Sequence, residues 1–558
     1  MPAKRLTLLL ILTLCALLSL GYWRGLTQPV DIIDAPSDRL SCVSYAPFHK
    51  AGQTPLDKKV PITAAQIEAD MTALADRFDC VRTYTVTQGL QIVPELAEKL
   101  GIKVLLGIWI GRESAENEQE LAAGIELAQK HPQVIRAVIV GNEVLLRQEQ
   151  TPAGMRKYLQ RVAAALPGVA VTYADVWEFW LRYKQDLLHM VAFPTVHILP
   201  YWEDTPIAVS DAVLHVHETY RRVKEQLGGK DVLIGETGWP SYGRSRLEAE
   251  PSLVNQARFI REFAARAASD NIPYNVIEAF DQPWKRNSEG AVGGYWGLYD
   301  TDGKVKFPFH GPVAEAGDWS PGVLAAAAGF SALLAYAQWR RRLWSLAVLW
   351  PTLAIGAAAG GAWLAYYRDF LLTSRTWLEW AYSGLFAALL LAAVIGLGKQ
   401  LAAWSAHGAE LPQLHSGARL LALWRADRSI WRDPVWRLSL LRFVFLFSAA
   451  LVGLILVFDL RSRAFPVALF APPIIGFTLL AWLGGKAEAD LEEKLLAGWV
   501  ALAGVLTALN EHLLISENQA WRWADVLNPP ACAWLALSLL FAAAVLGPAS
   551  RPLQSRQG

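Results

Sequence analysis

Charge is scarce in this chain of 558 residues: only 18% are Asp, Glu, Lys or Arg, and 52 basic residues nearly cancel 51 acidic ones. Soluble domains usually carry about a quarter. So balanced a chain is not a nucleic-acid binder driven by bulk positive charge. It is not disordered either, because 53% of it is hydrophobic and disorder needs the opposite composition. Cysteine is as sparse, with four in the whole chain, which excludes a disulfide-dense small scaffold. No glycine-rich nucleotide loop follows the first strand pattern, and no Cys/His cluster of metal type appears. What is abundant is Trp, with 24 residues, and long apolar runs.

The near-neutrality conceals two parts of opposite sign. Up to Ser320 there are 33 basic and 38 acidic residues, and beyond it 19 and 13, giving −5 and +6. Lys4 and Arg5 precede an apolar run from Leu6 to about Tyr22, which reads as a signal peptide or a short anchor. No small-x-small cleavage site precedes Gly21-Tyr22-Trp23-Arg24, so an uncleaved anchor over 1–23 is the expectation. After Ser320, apolar runs near 321–338, 343–366, 378–398, 438–458, 465–484, 495–515 and 529–547 approach the roughly 20 residues that span a bilayer. Basic residues at Arg340 to Arg342, at Lys399, over Arg419 to Arg437, and at Arg551 and Arg556 all fall on one side of such a bundle. By the positive-inside rule that side is cytoplasmic. Trp339, Trp377, Trp380, Trp436, Trp521 and Trp523 sit at span ends, where an interfacial aromatic belt belongs. The expected organisation is an anchor (1–23), an exported domain (24–320) and a membrane domain of about seven helices (321–558).

Within the exported part, β-branched and apolar runs alternate with helical periods. The expected strands are Ser41–Tyr45, Cys80–Tyr84, Lys103–Trp109, Arg136–Gly141, Val169–Ala174, Val191–Ile198, Val232–Gly235 and Asn275–Phe280. Between them lie stretches such as Ala64–Phe78, with Ile67, Met71, Leu74 and Phe78 on one face, and Gln119–Lys130. Eight strand–helix units in under 300 residues suit a (β/α)8 barrel, with an open doubly wound sheet as the rival. An α/β barrel followed by an all-α membrane part is therefore the predicted fold class.

Barrel chemistry sits at the C-terminal ends of the strands. Those ends carry aromatics and carboxylates, among them Glu143 after strand four and Glu236 after strand seven. Taken singly, each glutamate reads as a helix cap or as a partner of an arginine such as Arg147. Together, facing across one barrel mouth among tryptophans, they form the pair that glycoside hydrolysis needs, one nucleophile and one proton donor of raised pKa. Trp109, Trp177, Trp180, Trp202, Trp239 and Trp284 are candidate sugar platforms, with core packing the alternative for each.

The segments Val140-Gly141-Asn142-Glu143-Val144 and Ile234-Gly235-Glu236-Thr237-Gly238-Trp239-Pro240-Ser241 resemble the two signatures of glycoside hydrolase family 17, the β-1,3-glucanase family. Cys42 to Tyr45, Val81 to Tyr84 and His197 to Trp202 are similar to its first, second and sixth strands, so the resemblance covers roughly residues 40–300. It implies a retaining (β/α)8 barrel with Glu143 as acid/base, Glu236 as nucleophile and Asn142 on the sugar 2-hydroxyl. Tyr45, Arg82, Tyr84, His197, Tyr201, Asp281, Gln282 and Lys285 are the further substrate-binding candidates, beside Trp109, Trp177, Trp202, Trp239 and Trp284. No metal and no cofactor is implied. Two departures stand out. Gln282 occupies the place of a carboxylate in the plant pattern Phe-Asp-Glu-x-x-Lys, and His197 and Leu199 stand where plant members tend to have Asn and Tyr. His197-Ile198-Leu199-Pro200-Tyr201-Trp202-Glu203-Asp204 and the multi-helix tail look more like the bacterial branch. That branch includes membrane-bound glucanosyltransferases that elongate or branch β-1,3-glucans.

The resemblance thus implies a β-1,3-glucan donor and acceptor and a lipid bilayer as partners, with no nucleic acid. It places the barrel in the periplasm on a multi-pass bacterial inner-membrane protein, and leaves room for a glucan synthase or exporter as a neighbour. A hydrolysing endo-β-1,3-glucanase and a non-catalytic polysaccharide-binding or export protein are the competing readings. Other features carry less. Gln519 to Trp523 matches the Q-x-x-R-W pattern of processive synthases but falls in an expected external loop. Asn510-Glu511 lies near a helix end, and His215 and His217 diverge on a helix. Gly356 and Gly360 suit helix packing. Cys42 and Cys80 open neighbouring strands and could pair in an oxidising compartment.

Overall fold

The computed structural model describes residues 2–57, 59–60, 62–339, 346–459, 463–485, 487–516 and 528–547. The chain divides into two compact units, 29–315 and 1–28 together with 316–558.

The first unit is a closed barrel of eight parallel strands in sequential order. They are β1 (Leu40–Ser44), β2 (Phe78–Arg82), β3 (Lys103–Ile108), β4 (Ile135–Asn142), β5 (Val171–Val176), β6 (Thr195–His197), β7 (Leu233–Thr237) and β8 (Tyr274–Val276). The barrel closes where Cys42 and Val43 of β1 pair with Asn275 and Val276 of β8. Cys42 also faces Cys80 across the β1–β2 register, and the two form a disulfide.

Several boundaries move from the sequence expectation, each for a local reason. The helix Ala64–Ala75 buries Ile67, Met71 and Leu74, and its N-cap Thr63 accepts from Gln66 N. Phe78, expected on that helical face, begins β2 instead. β6 covers only Thr195–His197, because Pro194 has no N–H to give the ladder. β8 is short too. Beyond Val276 the chain still bonds to its neighbours, Ile277 N donating to Thr237 O and Ala279 N to Ser44 O, and it also pairs with a later segment, Leu298 N donating to Glu278 O and Tyr299 N to Ala279 O. β7 runs to Thr237, so Glu236 lies inside the last turn of the strand and pairs in register with His197.

The second unit is helical. Five of its described helices are long and apolar enough to cross a membrane: Ala3–Gly25, Val348–Thr373, Trp377–His407, Pro434–Phe458 and Pro529–Leu546. Ser320–Ala335 and Val467–Leu483 are apolar but shorter. Gly356 and Gly360 lie against the helix Ser320–Trp339, where a Cβ would come within 2.5 Å of Phe330 Cα and 2.1 Å of Ala325 O. That is the close approach small residues permit. Glu511 of the Asn510-Glu511 dipeptide is tied to Arg463 and accepts from Asn528 at 3.2 Å, a buried polar cluster. Arg442 and Glu493 form a second buried pair at 2.9 Å. Arg340 to Arg342, Gln519 to Trp523, Arg551 and Arg556 lie outside the described residues.

Candidate active site

The site grows from Arg82 at the end of β2. Its guanidinium is almost fully buried. Nη1 donates to Gly235 O at 2.8 Å and to Glu236 Oε1 at 3.1 Å, and Nη2 donates to Asn142 Oδ1 at 2.5 Å. One buried cation therefore ties β2 to β4 and β7. Tyr84 is the second support of Glu236: its Oη lies 2.8 Å from Oε1 and 2.9 Å from Ser44 Oγ. A phenol has one proton, and the carboxylate can only accept, so Ser44 donates to Tyr84. Asn275 Nδ2 of β8 donates in turn to Ser44 at 2.8 Å. Burial, with the adjoining Glu236 charge, pushes the Tyr84 phenol well up and keeps it a donor.

Glu143 is presented differently. Gly141 and Glu143 have φ of 83° and 52°, so the chain turns sharply as β4 ends. A Cβ at 141 would come within 2.7 Å of Val144, which leaves glycine as the residue that fits. The turn is braced by Tyr173, which accepts from Leu145 N at 2.9 Å and donates to buried Asp175. Glu143 Oε1 is 2.9 Å from His197 Nδ1, while Arg147 stands 3.9 Å from Oε2 and pairs more closely with Glu149, at 3.0 Å. Burial pushes the Glu143 carboxyl up, but the His197 hydrogen bond and the Arg147 and Arg82 charges outweigh it and hold it below the usual range. A raised value was the expectation for a proton donor; His197 is the main reason for the reversal. At Asp175, burial prevails over its hydrogen bonds and pushes the carboxyl up to about 6.

Behind the pair, Lys285 Nζ contacts both oxygens of Glu278, at 2.9 and 2.8 Å. Glu278 is fully buried, and that burial, only partly offset by Lys285, pushes its carboxyl up to about 7. Lys285 therefore finds its carboxylate at 278, four residues before Gln282. Gln282 is itself buried, donating to Ala46 O at 2.8 Å and accepting from Trp284 Nε1 at 2.7 Å. Asp281 binds Lys306 at 2.9 Å and accepts from Gly297 N.

The candidate platforms separate by exposure. Trp109 and Trp202 are each 36% exposed. Arg147 stacks over Trp109, and Trp202 lies parallel to Trp296 at 6.4 Å. Trp177 is half-buried, donating to Glu203 at 3.1 Å with Arg222 over its ring. Trp239 is a core residue with 0% exposure, donating to Glu250 O, and Trp180 is equally enclosed, donating to Thr195 O. Neither offers a face to a sugar, because strand and helix pack over both rings. Tyr45 and Tyr201 are likewise enclosed, their hydroxyls bound to Asp70 and Arg244 O.

Glu143, His197 and Glu236 offer one ligand atom each within 4.8 Å of one another, spacing that a metal ion could use. Arg82 donates into the same cluster and brings a fixed positive charge, which makes it a poor cation site. His215 binds Glu203 and His217 binds Asp270, so these two histidines point apart. Ser44, Asn275, Tyr173 and Glu278 escape the sequence reading. Glu278 had a usable signal, an acid inside the apolar run Asn275–Phe280.

Residues 42–297 match the family described as the BtgE/BtgC glycoside hydrolase domain. The match covers most of the barrel unit and under half of the chain. Among curated proteins the barrel is similar to a glucan 1,3-beta-glucosidase of Arthroderma benhamiae, 28% identical over 44% of this chain and 83% of that protein. It is also similar to the probable beta-glucosidase btgE of Aspergillus fumigatus, 23% identical over 46% of this chain, which spans 45% of that longer protein. A solved family 17 β-1,3-glucanosyltransferase of Rhizomucor miehei is 24% identical over 50% of this chain and 98% of that one, with a TM-score of 0.42.

Proposed function

We propose that the chain is a membrane-anchored, retaining β-1,3-glucan glucanosyltransferase. The observation that carries the proposal is the separation of the two glutamates, one oxygen of each lying within 4.8 Å of the other. Retaining glycosidases hold their carboxyl groups about 5–5.5 Å apart, whereas inverting ones leave about 6.5–9.5 Å for a water. Arg82 and Tyr84 both engage Oε1 of Glu236, which leaves Oε2 to attack the anomeric carbon. As the C1–O bond breaks, Glu143 gives its proton to the departing oxygen and an ester forms on Glu236. An acceptor hydroxyl then gives its proton to Glu143 and takes the sugar from Glu236, restoring both groups. Asn142, its amide oxygen taken by Arg82, can turn its NH2 to the sugar 2-hydroxyl.

The Arthroderma benhamiae relative is named a glucan 1,3-beta-glucosidase, which supports that donor. Exposed Trp109 and Trp202 support acceptor capture over hydrolysis, since a stacked ring displaces water. Membrane placement rests on the five apolar helices, with 1–23 as anchor, 24–320 as the exported enzyme and 321–558 as the membrane domain. The Cys42–Cys80 bond favours an oxidising periplasm outside a bacterial inner membrane. Incubation of the full chain with laminari-oligosaccharides tests the reading. Products longer than the donor, elongated or β-1,6-branched, are expected; exclusively shorter ones make it an endo-β-1,3-glucanase. No turnover at all leaves a polysaccharide-binding or export protein.

A further inference from the structure

We propose that His197 is the positioning residue that aims Glu143 into the barrel mouth and favours its charged form after it has given up its proton, through a ring proton on Nδ1. The inference rests on the acid/base reading of Glu143 given above. His197 is 1% exposed and sits at the end of β6 between the two glutamates, with Nδ1 2.9 Å from Glu143 Oε1 and 3.7 Å from Glu236 Oε2. Its other nitrogen, Nε2, lies 3.3 Å from Arg82 Nη1. A guanidinium only donates, so Nε2 must accept, and the ring proton of the neutral imidazole is confined to Nδ1. That proton has one carboxylate at hydrogen-bond distance, and it is Glu143.

The ring is closely surrounded. It is 1% exposed, β7 runs close enough that a Cβ at Gly235 would come within 3.1 Å of its Cδ2, and Arg82 is held by Gly235, Glu236 and Asn142. The other groups facing Glu143 are Arg147 on its own turn, Arg82 of β2, Glu236 of β7, Asp175 of β5 and Glu289 after β8. The two arginines favour its charge and the three carboxylates oppose it. His197 supplies the direct hydrogen bond, and it is strongest in the glycosyl-enzyme, when Glu143 has lost its proton and awaits the acceptor's. The residue thereby favours the second half of the cycle at the expense of the pH range of the first.

The test is the pH profile of kcat/KM for the full chain on laminari-oligosaccharides. Its basic limb reports the proton on Glu143 and its acidic limb the charge on Glu236. His197→Gln keeps an acceptor for Arg82 but removes the donor at Nδ1. The basic limb should move up by about one pH unit, with the acidic limb unmoved. His197→Asn puts an amide N–H at the Nδ1 position and should keep the basic limb within a few tenths of wild type. Slower variants with an unmoved limb in His197→Gln, or a limb raised in His197→Asn, would overturn the inference. Glu143→Ala separates the two layers: without azide rescue the acid/base reading itself fails, whereas with rescue an unmoved His197→Gln limb refutes only this role.

Discussion

The carboxylate of Glu278 clasps Lys285 with both oxygens, at 2.9 and 2.8 Å, with Glu278 fully buried and the Lys285 side chain mostly so. Glu278 follows β8 by two residues, between Ile277, which donates to Thr237 O of β7, and Ala279, which donates to Ser44 O of β1, and Lys285 ends the short helical turn Pro283–Lys285. Burying two charges is tolerable only while both are present.

Lys285→Met should therefore destabilise the barrel by about 3–5 kcal/mol at pH 8, because an unpaired carboxylate remains buried. The sign with pH follows from Glu278, whose carboxyl is already pushed up to about 7 in the folded protein. Losing Lys285 raises it further, so the folded variant binds a proton that the unfolded chain, near its ordinary value, does not. Stability of the variant rises as pH falls from 8 towards 4.5, and its deficit against wild type narrows. Thermal melts at pH 8 and pH 5 measure this; a deficit unchanged between them would rule it out.

Glu143→Ala should lower turnover about 10²–10⁴-fold on donors with poor leaving groups, and far less on activated aryl glycosides. Azide should restore activity and yield the β-glycosyl azide, since it replaces the acceptor on the face the leaving group vacated. Glu236→Ala should abolish turnover, and any azide product should be the α-anomer. NMR of the azide products decides between these configurations, and an α-azide from Glu143→Ala would reverse the two roles.

Two tryptophans of one barrel should respond oppositely. Trp202→Ala removes an exposed ring stacked on Trp296, so acceptor KM should rise about tenfold, the scale of one aromatic contact, while the melting temperature holds. Trp239→Ala opens a cavity in the core and should cost about 3–5 kcal/mol with little change in acceptor preference. Chromatography of transfer and hydrolysis products, beside melts of both variants, checks the pair.

Arg82→Met should be far more damaging than Arg82→Lys, because one guanidinium spans Gly235, Glu236 and Asn142. Lysine can keep the charge beside Glu236 yet cannot reach Asn142 at the same time. The expected result is a loss of turnover in both, with the protein still folded only in Arg82→Lys; equal melting temperatures would refute the spanning role.

Strand alternation and the position of Glu143 and Glu236 at strand ends were readable because period and spacing are carried in the chain itself. Burial was not. Trp202 and Trp239 look alike as residues after a strand, and only packing distinguishes a half-exposed ring from an enclosed one. The support of the site was hidden for a related reason. Ser44 and Asn275 are 231 residues apart, and Glu278 meets Lys285 through the turn Pro283–Lys285, which strand period does not reveal. His197 was readable as a departure, but its place between two carboxylates depends on the register of β6 against β7.

Barrel closure has a consequence for the order of assembly. During synthesis both glutamates emerge well before β8, which is the last strand and the one that meets β1. The relay that steadies Glu236 begins on Asn275 of β8 and passes through Ser44 of β1 and Tyr84. A nascent chain that carries both carboxylates but lacks its last strand has the reactive groups without the scaffold that aims them. With the roles proposed for Glu143 and Glu236, competence to cleave glycosidic bonds is expected to arrive with the final strand, and a chain lacking it to be inert.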